Sequence, residues 1–104
     1  MCARCGRFVD GGSRHHRKLR RFGDHSVQNL VLLCGSGTTG CHGWAHSRVA
    51  EAFAIGMLVH SWHDPASVPV LYRLRWVLFT PEGDTMTLTD EQALERRRDL
   101  GLVA

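Results

Sequence analysis

Apolar positions along this chain come in short bursts separated by glycine, proline and polar residues. NLVLLC (residues 29–34) has the length and bounding loops of a short buried strand. Upstream of it, residues 2–7 read as a cysteine knuckle and VDGGS (9–13) as a turn. SRHHRKLRR (13–21) reads as a short strand holding a basic run, and FGDHS (22–26) as a loop. After the glycine-rich GSGTTG, the pattern of CHGWAHSRVAEAFA (41–54) predicts a helix ended by Gly56, with Ala45, Val49, Ala52 and Phe53 on its packing face. MLVHSW (57–62) alternates weakly, which suits a strand. Pro65 and Pro69 make DPASVPV (64–70) extended or turning, because proline fixes φ and biases the residue before it away from helix. YRLRWVLFT and TMTLT flank PEGD and predict a hairpin. TDEQALERRRDLG opens with a Thr or Asp cap and acidic residues and turns basic before Gly101, the charge order of a short helix. Trp44, Trp62 and Trp76 read as packing residues.

Strands and helices in this mixture make an α+β protein. At 104 residues it is a single domain with a modest core, residues 1–56 forming the functional unit and 57–104 an extension packed on it. A hydrophobic fraction of 43% with 22% charged residues favours a folded chain over a disordered one. No apolar run approaches the roughly 20 residues that span a bilayer, and the polar N-terminus is no signal peptide, so no membrane role and a cytoplasmic address are expected. Charge is segregated: eight of the thirteen basic residues but only two of the ten acidic ones fall within residues 1–48. One half of the molecule should attract a polyanion and the other should not.

The cysteines change the picture further. All four, Cys2, Cys5, Cys34 and Cys41, lie in the first 41 residues. Cys2-x-x-Cys5 is a tight pair whose sulfurs can share one tetrahedral metal, and four thiolates from two loops would make a closed structural zinc site. Two disulfides or free buried thiols are the alternatives. Cys34 and Cys41 are separated by six residues where two are usual, so the glycine-rich insert must double back. Interleaved with these are His15–His16 and the pair His42 and His46, spaced i and i+4 on one helix face, where both imidazoles can share a metal. A strand sends consecutive side chains to opposite sides, so one of His15 and His16 can complete that metal site while the other faces substrate.

Cys2-x-x-Cys5, HHR (15–17), NLVLLC (29–34) and GCHGWAH (40–46) together resemble the HNH endonucleases of the ββα-metal fold, in their small zinc-stabilised phage and bacterial branch. The resemblance covers about the first half of the chain; DPASVPV and the RWVLFTPEGD hairpin are similar to the tails of small phage-type members. It implies a ββα-metal core with a four-cysteine zinc site, followed by a β-hairpin and a short helix. It implies one catalytic divalent ion on His15, His42 and His46, His16 as general base, and Asn29 bracing the loop that orients His16. The first ligand is often acidic in that family, whereas here it is His15; an all-imidazole set leaves Mg²⁺, Mn²⁺, Ni²⁺ and Zn²⁺ open. The implied partner is DNA, with genome packaging beside a terminase or portal component, or homing, as the setting.

The residue types suit phosphodiester hydrolysis on independent grounds. Histidine titrates where a water must be deprotonated at neutral pH, and one cation can stabilise both the phosphorane and the leaving 3′ oxygen. Arg14, Arg17, Lys18, Arg20 and Arg21 would contact flanking phosphates, giving salt-dependent affinity largely blind to sequence. One site per chain cuts one strand, so a double-strand break takes two events. The rival reading is a non-catalytic zinc module that binds nucleic acid or a terminase. Asp10 and Asp24 read first as turn residues and His25 as a loop residue, while His60 and His63 lie beyond the motif.

Overall fold

Strand β1 (Ser13–His16) pairs antiparallel with β2 (Leu30–Leu33), in a register that sets Arg14 against Leu32, His15 against Val31 and His16 against Leu30. The computed structural model describes residues 1–8, 12–36 and 38–103. Asp10 and the first three residues of the turn expected over 9–13 lie outside the described residues, as does Gly37 of the glycine-rich loop. Alternation along the pair buries Val31 and Leu33 on β2 and His15 on β1. A histidine therefore occupies a core position.

Residues 41–54 do not form one continuous helix. α1 (Gly40–Ser47) stops at Arg48, whose φ of −111° and ψ of 61° leave the helical region, and α2 (Val49–Ala54) begins there. No proline or glycine between Ala45 and Ile55 accounts for the break. It turns the packing face: Ala45 and Ala52 are fully buried, Phe53 packs on the core, and Val49, expected to pack, is 45% exposed.

The segment expected as a strand over 57–62 is irregular. Met57, Leu58 and Val59 are all buried in succession, which a strand with one solvated face cannot do. Asp64 caps a short 3-10 turn (Pro65–Ser67) by accepting the Ala66 N–H. Three antiparallel strands follow, β3 (Val70–Tyr72), β4 (Arg75–Phe79) and β5 (Thr85–Thr87). The β4–β5 turn over PEGD is the one expected. The β3–β4 turn is not: it runs through Arg73 and Leu74 at φ 47° and 70°, left-handed conformations that ordinarily call for glycine or asparagine. The Arg73 N–H donates to the Ala3 carbonyl at 2.8 Å, which anchors this turn to the N-terminal knuckle. Helix α3 (Asp90–Asp99) starts in a full capping box between Thr89 and Gln92 and packs Ala93 with Leu78, Leu88 and Trp76. The described residues make a small α+β structure of two antiparallel sheets and three α-helices, and among them no helix is long and apolar enough to cross a membrane.

The central polar group of this core is Arg17, at 0% exposure. Its guanidinium donates to four carbonyls: Nε to Gly56 (2.8 Å), Nη1 to Gln28 (2.7 Å) and Pro65 (3.0 Å), and Nη2 to Val68 (2.8 Å). Burial draws its pKa down to about 9, which leaves it charged at neutral pH. Arg17 was expected among the phosphate contacts; it has no surface with which to make one. Trp62, expected to pack, is 73% exposed.

Replacing Arg17 by leucine strands the Gly56, Gln28 and Val68 carbonyls without this donor and leaves Pro65 only the Val68 N–H at 3.4 Å. The expected loss is about 3–5 kcal/mol, the scale of breaking a buried charged network, measured by urea denaturation. A loss no larger than that of Arg14→Ala would remove Arg17 from this role.

Candidate metal centres

Two groups of metal-ligating side chains converge, one of sulfurs and one of imidazoles, with the candidate ligand atoms of each group within 4.8 Å of one another. In the first, Cys2 and Cys5 come from the knuckle, Cys34 from the end of β2, and Cys41 from the first turn of α1. All four cysteines are free thiols. Thiolates around a zinc ion at roughly 2.3 Å stand about 3.8 Å apart on a tetrahedron, and Cys5 Sγ lies 3.8 Å from Cys34 Sγ. The cluster is thus positioned to hold a structural metal such as zinc.

The long insert between Cys34 and Cys41 is folded back on itself. Ser36 and Thr39 exchange backbone hydrogen bonds at 3.2 Å, the His42 N–H donates to the Cys34 carbonyl at 3.0 Å, and the Cys41 N–H donates to Cys34 Sγ at 3.3 Å. Gly35 and Gly40 make this fold possible, at φ +82° and +61°; a Cβ on Gly35 would sit 2.2 Å from the Thr39 carbonyl oxygen.

The electrostatics of the cluster are uneven. Burial would raise the Cys2 thiol, but hydrogen bonds from the backbones of Cys5, Cys34 and Arg4 outweigh it and bring the pKa to about 6. Burial pushes Cys41 up to about 12, the neighbouring sulfurs adding to the rise. Four close sulfurs cannot all carry charge unaided, and a divalent cation is what would let them do so. Arg4 supplies part of the compensation: its Nη1 lies 3.5 Å from Cys41 Sγ and its guanidinium sits 3.8 Å over the Trp44 ring. Arg4 has no mark in the sequence beyond its place between two cysteines.

The second group joins His15 from β1 with His42 and His46 from α1. His15 is 2% exposed, and its Nε2 lies 2.7 Å from the Met57 carbonyl. A carbonyl only accepts, so Nε2 carries the proton and Nδ1 keeps its lone pair. Burial lowers the His15 pKa to about 4, with His42, His46 and His16 adding to the fall against the Met57 bond, so the ring is neutral. One helical turn brings His42 Nε2 and His46 Nε2 to 3.1 Å, near the roughly 3 Å edge of a coordination shell with 2.0–2.1 Å bonds. Burial and His46 lower His42 as well, and its Nδ1 is buried with no hydrogen-bond partner. Imidazole nitrogens brought this close fit a transition-metal ion better than a hard cation such as Mg²⁺, which prefers oxygen.

Other expected site residues fall around this group. His16 is half-buried at the end of β1, with its ring 5.9 Å from that of His25; burial, Arg20 and His25 all depress its pKa. Asn29 is fully buried and braces the intervening loop: Oδ1 accepts the Lys18 N–H at 2.6 Å, and Nδ2 donates to the carbonyls of Lys18 (3.0 Å) and Asp24 (2.8 Å). None of these bonds goes to His16. Asp24 accepts from the Ser26 N–H and hydroxyl, as a turn residue does. Arg14, Arg20 and Arg21 are exposed, while Lys18 is half-buried with Nζ donating to the His63 carbonyl at 2.8 Å. Compared with known proteins, the chain matches no family model, no curated protein and no solved structure.

The sulfur cluster predicts about one tightly held zinc ion per chain. Metal analysis should find it retained in a His42→Ala/His46→Ala double variant. It should be absent, together with cooperative unfolding, from Cys5→Ala/Cys34→Ala. Native protein whose four thiols all react freely with a thiol reagent and which carries no metal would overturn the assignment.

Proposed function

We propose that this chain is a metal-dependent HNH-type endonuclease, with β1, β2 and α1 as its ββα-metal core, hydrolysing phosphodiester bonds of DNA. The observation that carries the reading is the convergence of His15, His42 and His46, nitrogen to nitrogen, from a strand and a helix. His16 is the next residue along that strand, and the exposed Arg20 and Arg21 follow it in the chain. A divalent ion held by His15, His42 and His46 would supply Lewis-acid stabilisation of charge on the phosphoryl and leaving oxygens.

The chain's own groups do the rest. His16, drawn towards its neutral form, accepts a proton from the attacking water. The water oxygen bonds to phosphorus, the bond from phosphorus to the 3′ oxygen breaks, and that oxygen is protonated from solvent. Arg14, Arg20 and Arg21 hold flanking phosphates; Lys18 has two N–H donors left beyond its bond to His63. Asn29 acts as a positioning residue through the backbone, fixing residues 18–24 beside the end of β1 and so the place of His16.

Plasmid nicking tests this. Protein stripped of loosely held metal should nick supercoiled DNA only when Mg²⁺, Mn²⁺, Ni²⁺ or Zn²⁺ is returned. His16→Ala should lower the rate by about 10²- to 10⁴-fold with zinc content unchanged. Folded, DNA-binding protein that nicks with none of these ions would shift the conclusion to a non-catalytic zinc module.

A further inference from the structure

Trp62 has no part in the core, the metal centres or the basic run, yet it is not an isolated surface residue. Phe53, packed on the core, lies parallel to the His60 ring at 3.9 Å and 5°, and His60 lies parallel to Trp62 at 4.5 Å and 12°. Three flat rings thus form a column fixed at its base and solvent-facing at its tip. The column forms one wall of a groove of about 340 Å³ that His46 of the imidazole group also lines. Phe22 and Val49, 44% and 45% exposed, add apolar surface to it. Arg21 stands among the lining residues, and no carboxylate does.

From this we propose that the Phe53–His60–Trp62 column is a stacking platform for one unpaired nucleobase of a DNA strand whose phosphate lies at the imidazole group. This rests on the endonuclease reading and extends it to the substrate class. A column of parallel rings ends in the surface on which another flat ring stacks, and every base offers such a face. In an intact duplex those faces are covered by neighbouring base pairs. The platform can be filled only where the strand is single, gapped, flapped or locally opened. Arg21, without an opposing carboxylate in the lining, suits a phosphate beside that base. The substrate class is therefore DNA with unpaired nucleotides beside the scissile phosphate, in preference to uninterrupted duplex.

Binding reads this out separately from cleavage. The zinc-containing full chain, with no other divalent ion added, is titrated into labelled oligothymidylate of about 12 nucleotides and into a duplex of equal length. Trp62→Ala should weaken oligothymidylate binding on the order of ten-fold or more, and duplex binding by no more than about two-fold. Trp62→Phe should recover most of the affinity while losing the quenching of indole fluorescence that accompanies binding in the unaltered protein. Because Trp62 is exposed, an unchanged melting midpoint is expected and checks that the fold is intact. Equal affinity of Trp62→Ala and the unaltered protein for oligothymidylate would overturn the platform. So would equal weakening for both DNAs, or a dimer in sedimentation that Trp62→Ala abolishes, which would make a second copy the occupant. Trp62-dependent binding without nicking under any metal sustains the platform and removes the nuclease. Nicking with no effect of Trp62 on either DNA does the reverse.

Discussion

A guanidinium sealed from solvent ties together three stretches of backbone by their carbonyls. Gly56 and Val68 lie in irregular segments, Gln28 and Pro65 in single 3-10 turns, and each points a carbonyl at Arg17. A carbonyl buried without a donor costs about 1–3 kcal/mol. Sheets and helices ordinarily meet that need, but segment 56–59 is irregular and the single turn in 64–69 leaves the Val68 carbonyl to Arg17. Arginine has five N–H donors on a rigid plane, and one such side chain replaces the missing ladder. Its charge is spread over carbonyl dipoles, since among the described residues no carboxylate is hydrogen-bonded to it.

The imidazole group inherits its geometry from this arrangement. The Gly56 carbonyl is held by Arg17, and the Arg17 carbonyl in turn accepts the Val59 N–H at 2.8 Å. Between these two anchors lies the Met57 carbonyl that fixes the proton of His15 on Nε2. The lone pair on His15 Nδ1 thus depends on the backbone at 56–59, which Arg17 holds together with the N–H groups of Gly56, Met57 and Leu58, bonded to the carbonyls of Phe53 and Ala52. Residues from the second half of the chain, Pro65 and Val68, complete the same cage. The extension is thus part of what positions the histidines.

How much of this is written in the sequence differs from residue to residue. The strand at 30–33, the i and i+4 histidines and the close cysteine pair follow local spacing, and local spacing is what a sequence displays. Arg17 was hidden by its company: in a run of basic residues each one looks solvated. A signal was there in the period of two, since a strand that turns His15 inward also turns residue 17 inward. The Arg73–Leu74 turn was illegible for a different reason. Neither residue favours the left-handed region, and the conformation is held from a distance, by the hydrogen bond to Ala3. Trp62 misleads in the opposite direction, because a large apolar residue signals burial unless something else gives its surface a purpose.

Helix α1 couples the two ligand groups. Cys41 and His42 are consecutive, and residues of a 3.6-residue turn diverge by about 100° around the axis, so one faces the sulfurs while the next faces His15. The start of the helix is set by Cys34, which receives the N–H groups of both residues, one on its sulfur and one on its carbonyl. A rotation of α1 that improved one group would degrade the other, because both are carried by the same turn. The sulfur cluster accordingly does more than stabilise the N-terminal knuckle. Through the two hydrogen bonds to Cys34 it sets where the helix begins, and with it the place of His42 and, one turn later, His46 beside His15.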